Sequence, residues 1–237
     1  MKILLKISIN FFDIIDKYVH QKKILNFFIR KKLSLNNFVD VGSHKGLYTD
    51  LFIKNFKLKK IIMFEPQIQI YQFLKKKYKK NKKIKIYNNA VSNKKSFQTL
   101  RLNYHDLTTT LSKRNNKNLY LKLKAILFGV NNMTYSNIDI KTIKLESIFK
   151  SKKMEKVDLL KIDTEGHELQ VLQGLDKKIK KIRFILIEFH HDKIYLKYNP
   201  QKIHNYLIKK NFVLEAKFKF PFTPWEDRIY LNKHDHQ

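Results

Sequence analysis

Three carboxylates in this chain occupy equivalent positions, each at the end of a short apolar run. They are Asp40, Glu65 and Asp163, and a turn and an amphipathic segment follow each run. Such runs predict buried strands, and the segments behind them predict helices. Ligands of open α/β sheets bind outside the carboxyl ends of the strands, so the three acids are expected at one ligand site. Carboxylates there disfavour a phosphate and favour a cation or a hydroxyl group.

A glycine turn follows the first of these strands. Gly42 and Gly46 precede an amphipathic segment that begins at Leu47, which predicts a tight turn entering a helix. Glycine suits such a turn because it allows a positive φ and a close approach of backbone and ligand. The spacing is Gly-x-x-x-Gly, not the Gly-x-Gly-x-x-Gly of pyrophosphate-binding turns, and Glu65 follows after about 20 residues, where such units bind a ribose diol. The pattern favours an adenosine-bearing ligand without pyrophosphate, and S-adenosylmethionine, with its cationic tail, fits it.

Strand and helix patterns alternate along the rest of the chain. Further strands are predicted at 84–87, 97–102, 138–143, 184–189, 212–218 and 228–231. Further helices are predicted at 67–80, 145–149 and 200–209, and another is predicted to begin at residue 164. This alternation predicts a mainly parallel, doubly wound α/β sheet. Residues 104–137 are irregular and too long for an ordinary connection. We interpret them as a substrate-facing insertion with a local helix at 119–128.

Composition limits the classes of function. The chain has 237 residues, 43% of them hydrophobic, which is enough for one large domain. It has no cysteine, so disulfides, thiolate metal sites and cysteine nucleophiles are excluded. The net charge is +30, from 50 basic and 20 acidic residues, but only five of the basic residues are arginine. We interpret the charge as the mark of an A/T-rich genome; a functional surface for polyanions such as RNA is the alternative.

Residues 1–35 are interpreted as a helical extension in front of a catalytic domain at 36–237. The extension is amphipathic, but its charges interrupt it too often for a transmembrane helix or a signal peptide. It is expected to pack on the domain; the alternative is a helix on a membrane surface. The basic residues that would face lipid are Lys22, Lys23, Arg30, Lys31 and Lys32. The protein is therefore expected in the cytoplasm, either free or at the inner membrane surface.

Seven short motifs occur in order along the chain: DVG at 40–42, GLYT at 46–49, FEP at 64–66, NAVS at 89–92, KIDTEGHE at 161–168, VLQG at 171–174 and IEFH at 187–190. Together they resemble the motifs of the FkbM family of S-adenosylmethionine-dependent methyltransferases. The resemblance implies a Rossmann-like class I methyltransferase fold, with a mainly parallel seven-stranded sheet and an antiparallel last strand. It also implies methyl transfer to hydroxyl oxygens of sugars or natural products. The chain departs from the family at Ser43, His44 and Lys45, which replace residues such as Ala-Asn-Ile and add two potential cations to the turn.

The predicted cofactor site lies at the ends of the first four core strands. Its residues are Asp40, Gly42, Ser43, Gly46, Glu65, Pro66, Asn89, Ala90 and Asp163. Glu65 is expected at the ribose hydroxyls, and the end of the third strand is expected near the adenine ring. His44 and His167 are expected to be structural.

A sugar hydroxyl is a weak nucleophile at neutral pH, so a base or a metal ion should assist its methylation. The catalytic candidates lie at the ends of the fourth and fifth core strands: Asp163, Glu165, Glu188 and His190. Alternatives stay open, since acids at a helix start also stabilise that helix, Glu168 could pair with a lysine, and His191 is a further candidate. Asp163 and Glu188 could share a divalent ion, but no metal site is predicted.

Other classes of methyltransferase and nucleotide-binding enzyme fit less well. An amino-methyltransferase of nucleic acids would carry Asn/Asp-Pro-Pro-aromatic after the fourth strand, where this chain has Asp-Thr-Glu-Gly at 163–166. A dehydrogenase would prefer the tighter glycine turn. The expected acceptor is a small molecule or a glycan, in particular a surface polysaccharide or glycolipid, bound in part by the irregular 103–137 region. An RNA-modifying methyltransferase that uses the basic surface is the alternative.

Overall fold

The structure is a computed structural model that describes residues 19–104, 108–221 and 223–235. The first 18 residues, which carry half of the predicted extension, lie outside these ranges. The helices are α1 Gln21–Arg30, α2 Leu47–Asn55, α3 Ile68–Lys77, α4 Leu119–Phe128, α5 Leu145–Ser151, α6 Glu168–Gln173 and α7 Pro200–Lys209. The strands are β1 Asn37–Val41, β2 Lys60–Phe64, β3 Ile84–Tyr87, β4 Ala90–Val91, β5 Phe97–Asn103, β6 Thr134–Ile143, β7 Val157–Ile162, β8 Ile182–His190, β9 Phe212–Lys219 and β10 Trp225–Asn232.

The central sheet has seven strands in the order β3-β2-β1-β7-β8-β10-β9. The five neighbouring strands β3, β2, β1, β7 and β8 pair in parallel. Strand β10 is antiparallel to both of its neighbours, β8 and β9. The predicted mainly parallel α/β sheet with an antiparallel last strand is therefore confirmed. Strand order reverses beside β1, and this switch point is where open sheets bind their ligands.

Helices cover both faces of the sheet, which explains why its inner strands are buried along nearly their whole length and mostly apolar. On one face, Val39 and Ile62 pack with side chains of α5, α6 and α7. On the other face, Phe38 and Ile61 pack with side chains of α1, α2 and α3. Successive residues of a strand point to opposite faces, so one short run of apolar residues serves both cores.

Helix α1 is part of the second core. Ile24 and Phe28 are fully buried, and the ring of Phe28 meets that of Phe184 edge to face at 5.5 Å between centroids. The five basic residues that flank these positions in α1 and just after it are exposed. Within the described segments, no helix is long and apolar enough to cross a membrane.

A second sheet, of order β4-β6-β5, lies beside the central one. Strand β6 is antiparallel to β5 and begins at Thr134, four residues before the start predicted from the sequence. Residues 134–137 are mostly polar, so they lack the apolar positions that mark a strand, although their burial alternates. The local helix predicted inside the insertion is α4, with the expected bounds.

Candidate active site

A cleft of about 620 Å³, counting its space open to solvent, lies at the carboxyl ends of β1, β2 and β7. Seven residues of the predicted cofactor and catalytic sites line it: Gly42, Glu65, Pro66, Asn89, Ala90, Asp163 and Glu165. Asp40, Ser43 and Gly46 lie behind this lining. The cleft thus brings together acids that are separated by about one hundred residues in the chain.

The turn after β1 depends on its two glycines. Gly42 has a φ of +79°, and a Cβ there would lie 1.8 Å from the carbonyl oxygen of Asp163. Gly46, at the start of α2, has a φ of +76°, and a Cβ there would lie 2.5 Å from the hydroxyl of Tyr78. The amides of Gly42 and Ser43 both donate to the carbonyl of Phe64 at 3.1 Å. These contacts hold the ends of β1, β2 and β7 against one another at the cleft.

Asp40 belongs to a buried charge network behind the cleft. Its carboxylate accepts a hydrogen bond from the Thr49 hydroxyl at 2.7 Å and lies 3.7 Å from the Lys161 ammonium. Burial raises the pKa of Asp40, and the positive charge of Lys161 opposes that rise. Lys161 also lies 3.1 Å from the carboxylate of Asp163, which lines the cleft.

Lys161 joins the acids of two neighbouring strands. Burial alone would lower its pKa, but the charges of Asp163 and Asp40 outweigh burial and raise it. Its ammonium also lies 4.8 Å from the centre of the Tyr48 ring. Lys161 was not predicted as a site residue; its signal is a lysine inside a mostly apolar strand, two residues before Asp163.

Glu65 is almost fully buried at the end of β2. Its two carboxylate oxygens accept the backbone amides of His44 at 2.9 Å and Gln67 at 2.8 Å. Burial raises the pKa of Glu65 to about 7, although the amides of Gln67 and His44 oppose the rise. Each oxygen can accept a further hydrogen bond, as a bound diol would require.

A strained turn links β7 to α6. Glu165 has a φ of +56° and Gly166 a φ of +91°, so α6 begins at Glu168 and not at the predicted residue 164. A Cβ on Gly166 would lie 2.4 Å from the ring of Tyr195. Non-glycine residues in this region cost about 1–3 kcal/mol and persist where the surroundings enforce them. Here the strain directs the carboxylate of Glu165 toward the cleft.

Glu168 stabilises this turn through hydrogen bonds to its backbone. One of its buried carboxylate oxygens accepts the amides of Thr164 and Gly166, each at 3.0 Å, and the Thr164 hydroxyl at 3.1 Å. Burial raises the pKa of Glu168. The suggested pairing of Glu168 with a lysine is therefore replaced by backbone contacts, because the side chain points under the turn and not toward solvent.

Glu165, Glu188 and His190 form a cluster next to the turn, in which His190 is buried and the two carboxylates are partly buried. His190 Nε2 lies 2.9 Å from Glu188 Oε2 and 3.9 Å from Glu165 Oε2, and the hydroxyl of Tyr195 donates to Glu165. Burial opposes the charged imidazole, but Glu188 and Glu165 outweigh it and raise the pKa of His190 to about 10. Burial and the charge of Asp163 raise the pKa of Glu188 well above its usual value. The pair therefore keeps a proton throughout the neutral range.

The cluster also has the spacing of a cation site, since its three candidate ligand atoms lie within 4.8 Å of one another. Asp163, which the sequence suggested as a ligand with Glu188, is not in this group. The imidazolium of His190 supplies a positive charge beside the two partly buried carboxylates. We therefore interpret the cluster as an acid–base group.

Two further histidines that the sequence pointed to lie outside this cluster. His191 contacts the carboxylate of Glu226 at 3.2 Å and is separate from the cluster. His167 lines the cleft but shares a hydrogen bond with the Ser92 hydroxyl at 2.9 Å, and burial lowers its pKa to about 4. The structural role expected for His167 agrees with this geometry.

The insertion directly contacts the turn between β7 and α6. The Thr110 hydroxyl donates to the carbonyl of Glu165 at 2.6 Å, and the Ser112 hydroxyl donates to that of Gly166 at 2.7 Å. Thr109, Thr110 and Leu111 also line the cleft. Tyr195 and these threonines were not identified from the sequence, because nothing in a loop marks which hydroxyl will meet the site.

The donor set of the cleft suits S-adenosylmethionine. The carboxylate of Glu65 would accept hydrogen bonds from a ribose diol, and the carboxylates of Asp163 and Glu165 would balance the positive charge of the cofactor. The cleft walls beside Glu65 include the apolar Phe64, Val91 and Leu100, which suit a flat ring.

Comparison with known proteins gives matches to methyltransferases. A family model described as the methyltransferase FkbM domain matches residues 40–219. A segment of 57 residues is 35% identical to hexuronic acid methyltransferase AglP of Haloferax volcanii, and it covers 24% of each chain. The match thus spans about a quarter of that curated relative.

Solved structures share the fold at low sequence identity. A methyltransferase FkbM from Methylobacillus flagellatus KT superposes with a TM-score of 0.53 at 16% identity, over 84% of this chain and 43% of that one. Magnesium protoporphyrin IX methyltransferase from Synechocystis PCC 6803, solved with bound S-adenosylmethionine, gives a TM-score of 0.51 at 7% identity, over 90% and 78% of the two chains. This chain therefore spans less than half the length of the first of these proteins.

Proposed function

Because this chain belongs to the FkbM family of S-adenosylmethionine-dependent methyltransferases, we propose that it transfers a methyl group to a hydroxyl of a saccharide. One observation carries the proposal: Asp163 and Glu165 line the same cleft as the cofactor residue Glu65. A hydroxyl is a weak nucleophile at neutral pH and benefits from such a carboxylate. The match to a hexuronic acid methyltransferase supports a sugar as the acceptor.

The cofactor is held by residues of β1, β2 and the strand ends beside them. Glu65 accepts hydrogen bonds from the ribose hydroxyls, the backbone at Gly42 packs against the cofactor, and Asn89 and Ala90 flank the adenine. Asp163 and Asp40 give the site the negative charge that a cationic cofactor needs. When bound, S-adenosylmethionine supplies an electrophilic methyl group and keeps the carbon–sulfur bonding pair on sulfur as the acceptor oxygen takes the carbon.

Glu165 receives the proton of the acceptor hydroxyl. Tyr195 donates to its carboxylate and Thr110 to its backbone carbonyl, so the group is held in one orientation before substrate arrives. Such orientation removes entropy from the reaction and is a large part of catalysis by positioning. Asp163, which pairs with Lys161, orients the acceptor.

His190 and Glu188 act through Glu165. They lie next to it and form an ion pair, so their net charge stays close to zero while Glu165 changes charge. A buried, pre-oriented dipole next to the reacting group stabilises charge without reorganisation. His190 and Glu188 are therefore positioning residues in this mechanism.

We propose that the acceptor is a surface polysaccharide or glycolipid that is assembled at the inner face of the membrane. The test compares the glycans of cells with and without the gene by mass spectrometry. Loss of one methyl group from a sugar, restored by the wild-type gene but not by Asp163→Asn, is expected. A methyl group that survives mild alkali is an ether on a hydroxyl, whereas one that alkali removes is a carboxylate ester and would contradict the hydroxyl acceptor.

Unchanged glycans, together with a methyl group missing from a protein, an RNA or a small sugar-free metabolite, would reject the saccharide proposal. The wild-type and Asp163→Asn genes should be compared at equal protein level. This control separates a lost activity from a lost protein.

A further inference from the structure

Helix α4 exposes an apolar face. Leu119, Leu123 and Ile126 are 70%, 53% and 67% exposed, and their spacing of four and three residues places them on one side of the helix. Leu121 and Ala125, on the opposite side, are buried. The helix thus packs on the domain with one side and presents an aliphatic stripe to solvent with the other, a pattern that marks an interaction surface.

All charged residues in the chain segment around this stripe are basic. Residues 108–138 contain five basic residues and no acidic residue. Lys113, Lys117 and Lys122 are exposed, before the helix and on it. Aliphatic side chains flanked by lysines are typical of helices that lie in the interface of an anionic bilayer. A second copy of this chain fits less well, because it would bring the same positive charge against this face.

The stripe also lies close to the catalytic cluster. Leu121, on the inner side of α4, packs with Tyr195, whose hydroxyl donates to Glu165. At the start of the helix, the Asn118 amide donates to the carbonyl of Asp192 at 2.7 Å. These contacts fix α4 beside the end of β8, so a surface that binds the stripe lies next to the active site.

We propose that α4 docks on an anionic lipid bilayer through Leu119, Leu123 and Ile126. The helix lies in the plane of the interface and does not span the membrane, and its lysines contact the lipid headgroups. The membrane contact itself does not depend on the proposed function. Its consequence does: the saccharide acceptor would reach Glu165 from the membrane side, as part of a lipid-linked molecule.

The test measures sedimentation of the full chain with phosphatidylcholine vesicles, with and without phosphatidylglycerol. The wild type is expected to bind the anionic vesicles and to bind the neutral ones weakly. The double variant Leu123→Ser/Ile126→Ser is expected to bind the anionic vesicles at least about tenfold more weakly, because two aliphatic side chains no longer leave water. Lys117→Gln/Lys122→Gln is expected to lose about tenfold of the preference for anionic lipid.

A matched control is Phe97→Ser. Phe97 is 74% exposed, but it pairs with Lys141 at the end of the β5–β6 ladder away from Thr134, where the chain returns from α4. This variant should bind vesicles like the wild type. Circular dichroism and binding of S-adenosylmethionine, both unchanged in every variant, show that the fold is intact.

Three outcomes would overturn the inference. One is equal binding of wild type and Leu123→Ser/Ile126→Ser. Another is loss of binding on deletion of residues 1–18 while the α4 variant still binds, which would assign the contact to the N-terminal segment. The third is a wild-type dimer in solution that the α4 variant dissolves. Failure of vesicle binding leaves the methylation proposal intact, because the assay contains no acceptor and measures no methyl transfer.

Discussion

At the scale of residues, two carboxylates of the cleft differ in their surroundings. Glu65, proposed at the cofactor, and Glu165, proposed at the acceptor, both line the cleft but have different partners. Glu65 is surrounded by backbone amides, whereas Glu165 meets a tyrosine hydroxyl and an imidazole. Because burial makes each carboxylate dependent on its immediate partners, single substitutions can separate binding from catalysis.

The pKa of Glu65 predicts a pH-dependent affinity for S-adenosylmethionine. The folded pKa of about 7 lies above the ordinary value of 4.5, so the free protein holds a proton on Glu65 as the pH falls below 7. If the ribose requires the carboxylate, affinity declines by up to about tenfold per pH unit below pH 7. Titration calorimetry of the wild type from pH 5.5 to 8 measures this decline.

The variant Glu65→Gln should abolish that decline. It cannot ionise, so its affinity should be independent of pH and, at pH 8, about ten- to a hundredfold below the wild type, as expected for a lost charged hydrogen bond. Glu146→Gln, on the surface of α5, is the control and should titrate like the wild type. Equal affinities of wild type and Glu65→Gln at pH 8 would remove Glu65 from the cofactor site.

The two adjacent histidines give a matched pair for catalysis. His190→Gln should lower kcat by about 100-fold with little change in cofactor affinity, because it removes a pre-oriented charge next to Glu165. His191→Gln should leave kcat within about twofold, since His191 pairs with Glu226 outside the cluster. Similar losses in both variants would contradict the assignment. Steady-state kinetics with the methyl acceptor measures both.

Turns between elements, more than the elements themselves, shape the site at the next scale. The turn after β1 requires Gly42 because the backbone there passes close to the carbonyl of Asp163. The turn after β7 holds Glu165 at a positive φ and is stabilised by the carboxylate of Glu168, which accepts two of its backbone amides. Both turns join a buried strand to a helix. Their cost is offset by the packing of the strands on either side.

Loss of the hydrogen bonds to Glu168 should destabilise the whole domain. Glu168→Ala leaves two buried amides without their acceptor, which should lower the free energy of unfolding by about 3 kcal/mol. Glu168→Gln keeps an acceptor oxygen at the same position and should cost clearly less. Urea denaturation followed by circular dichroism measures the free energy of unfolding of both variants. Equal stability of Glu168→Ala and the wild type would show that the turn does not depend on Glu168.

Alanine substitutions at two glycines with positive φ distinguish the cost of a left-handed backbone from the cost of a steric clash. Gly129, after α4, has a φ of +65° and nothing within 4 Å of a Cβ, so Gly129→Ala should cost about 1–2 kcal/mol from its left-handed backbone alone. In Gly42→Ala the Cβ would also meet the Asp163 carbonyl, which should add about 1–3 kcal/mol or more and weaken cofactor binding. Equal costs for the two variants would contradict the close contact. Thermal and urea unfolding measure the difference.

Charge is the feature that belongs to the whole molecule. The net charge of +30 comes mostly from lysine, and the few arginines are largely used inside the fold. Arg228 lies 4.0 Å from the Phe189 ring and pairs with Glu226, while Arg101 and Arg114 donate to backbone carbonyls. Arginines engaged in this way are not displayed for the bidentate base contacts of nucleic-acid readers.

We therefore expect weak and sequence-indifferent binding of RNA. Binding should be detectable at low salt and should disappear near physiological salt, because lysine–phosphate contacts depend on counterion release. Filter binding or fluorescence anisotropy with two unrelated RNAs across a salt series measures this. A nanomolar complex with one RNA at physiological salt would favour an RNA methyltransferase.

The strands, the helices of the central domain, the family and the cofactor class could be predicted from the sequence. Buried parallel strands are continuous apolar runs, and helices carry a periodic stripe, so both patterns are local in the chain. The position of α4 was predictable for the same reason. The start of β6 and the start of α6 were predicted wrongly, because polar strand residues and a left-handed Glu165 leave no apolar pattern.

The tertiary structure alone decided which of the predicted acids work together. Asp40 lies behind the cleft with Lys161, Glu168 lies under a turn, and Glu165 joins Glu188 and His190. These distinctions depend on distances of a few ångströms between residues far apart in the chain, and on burial, which sets their pKa values. A strand end marks an acid as a candidate for the site. Its partners, and so its role, exist only once the strands lie side by side.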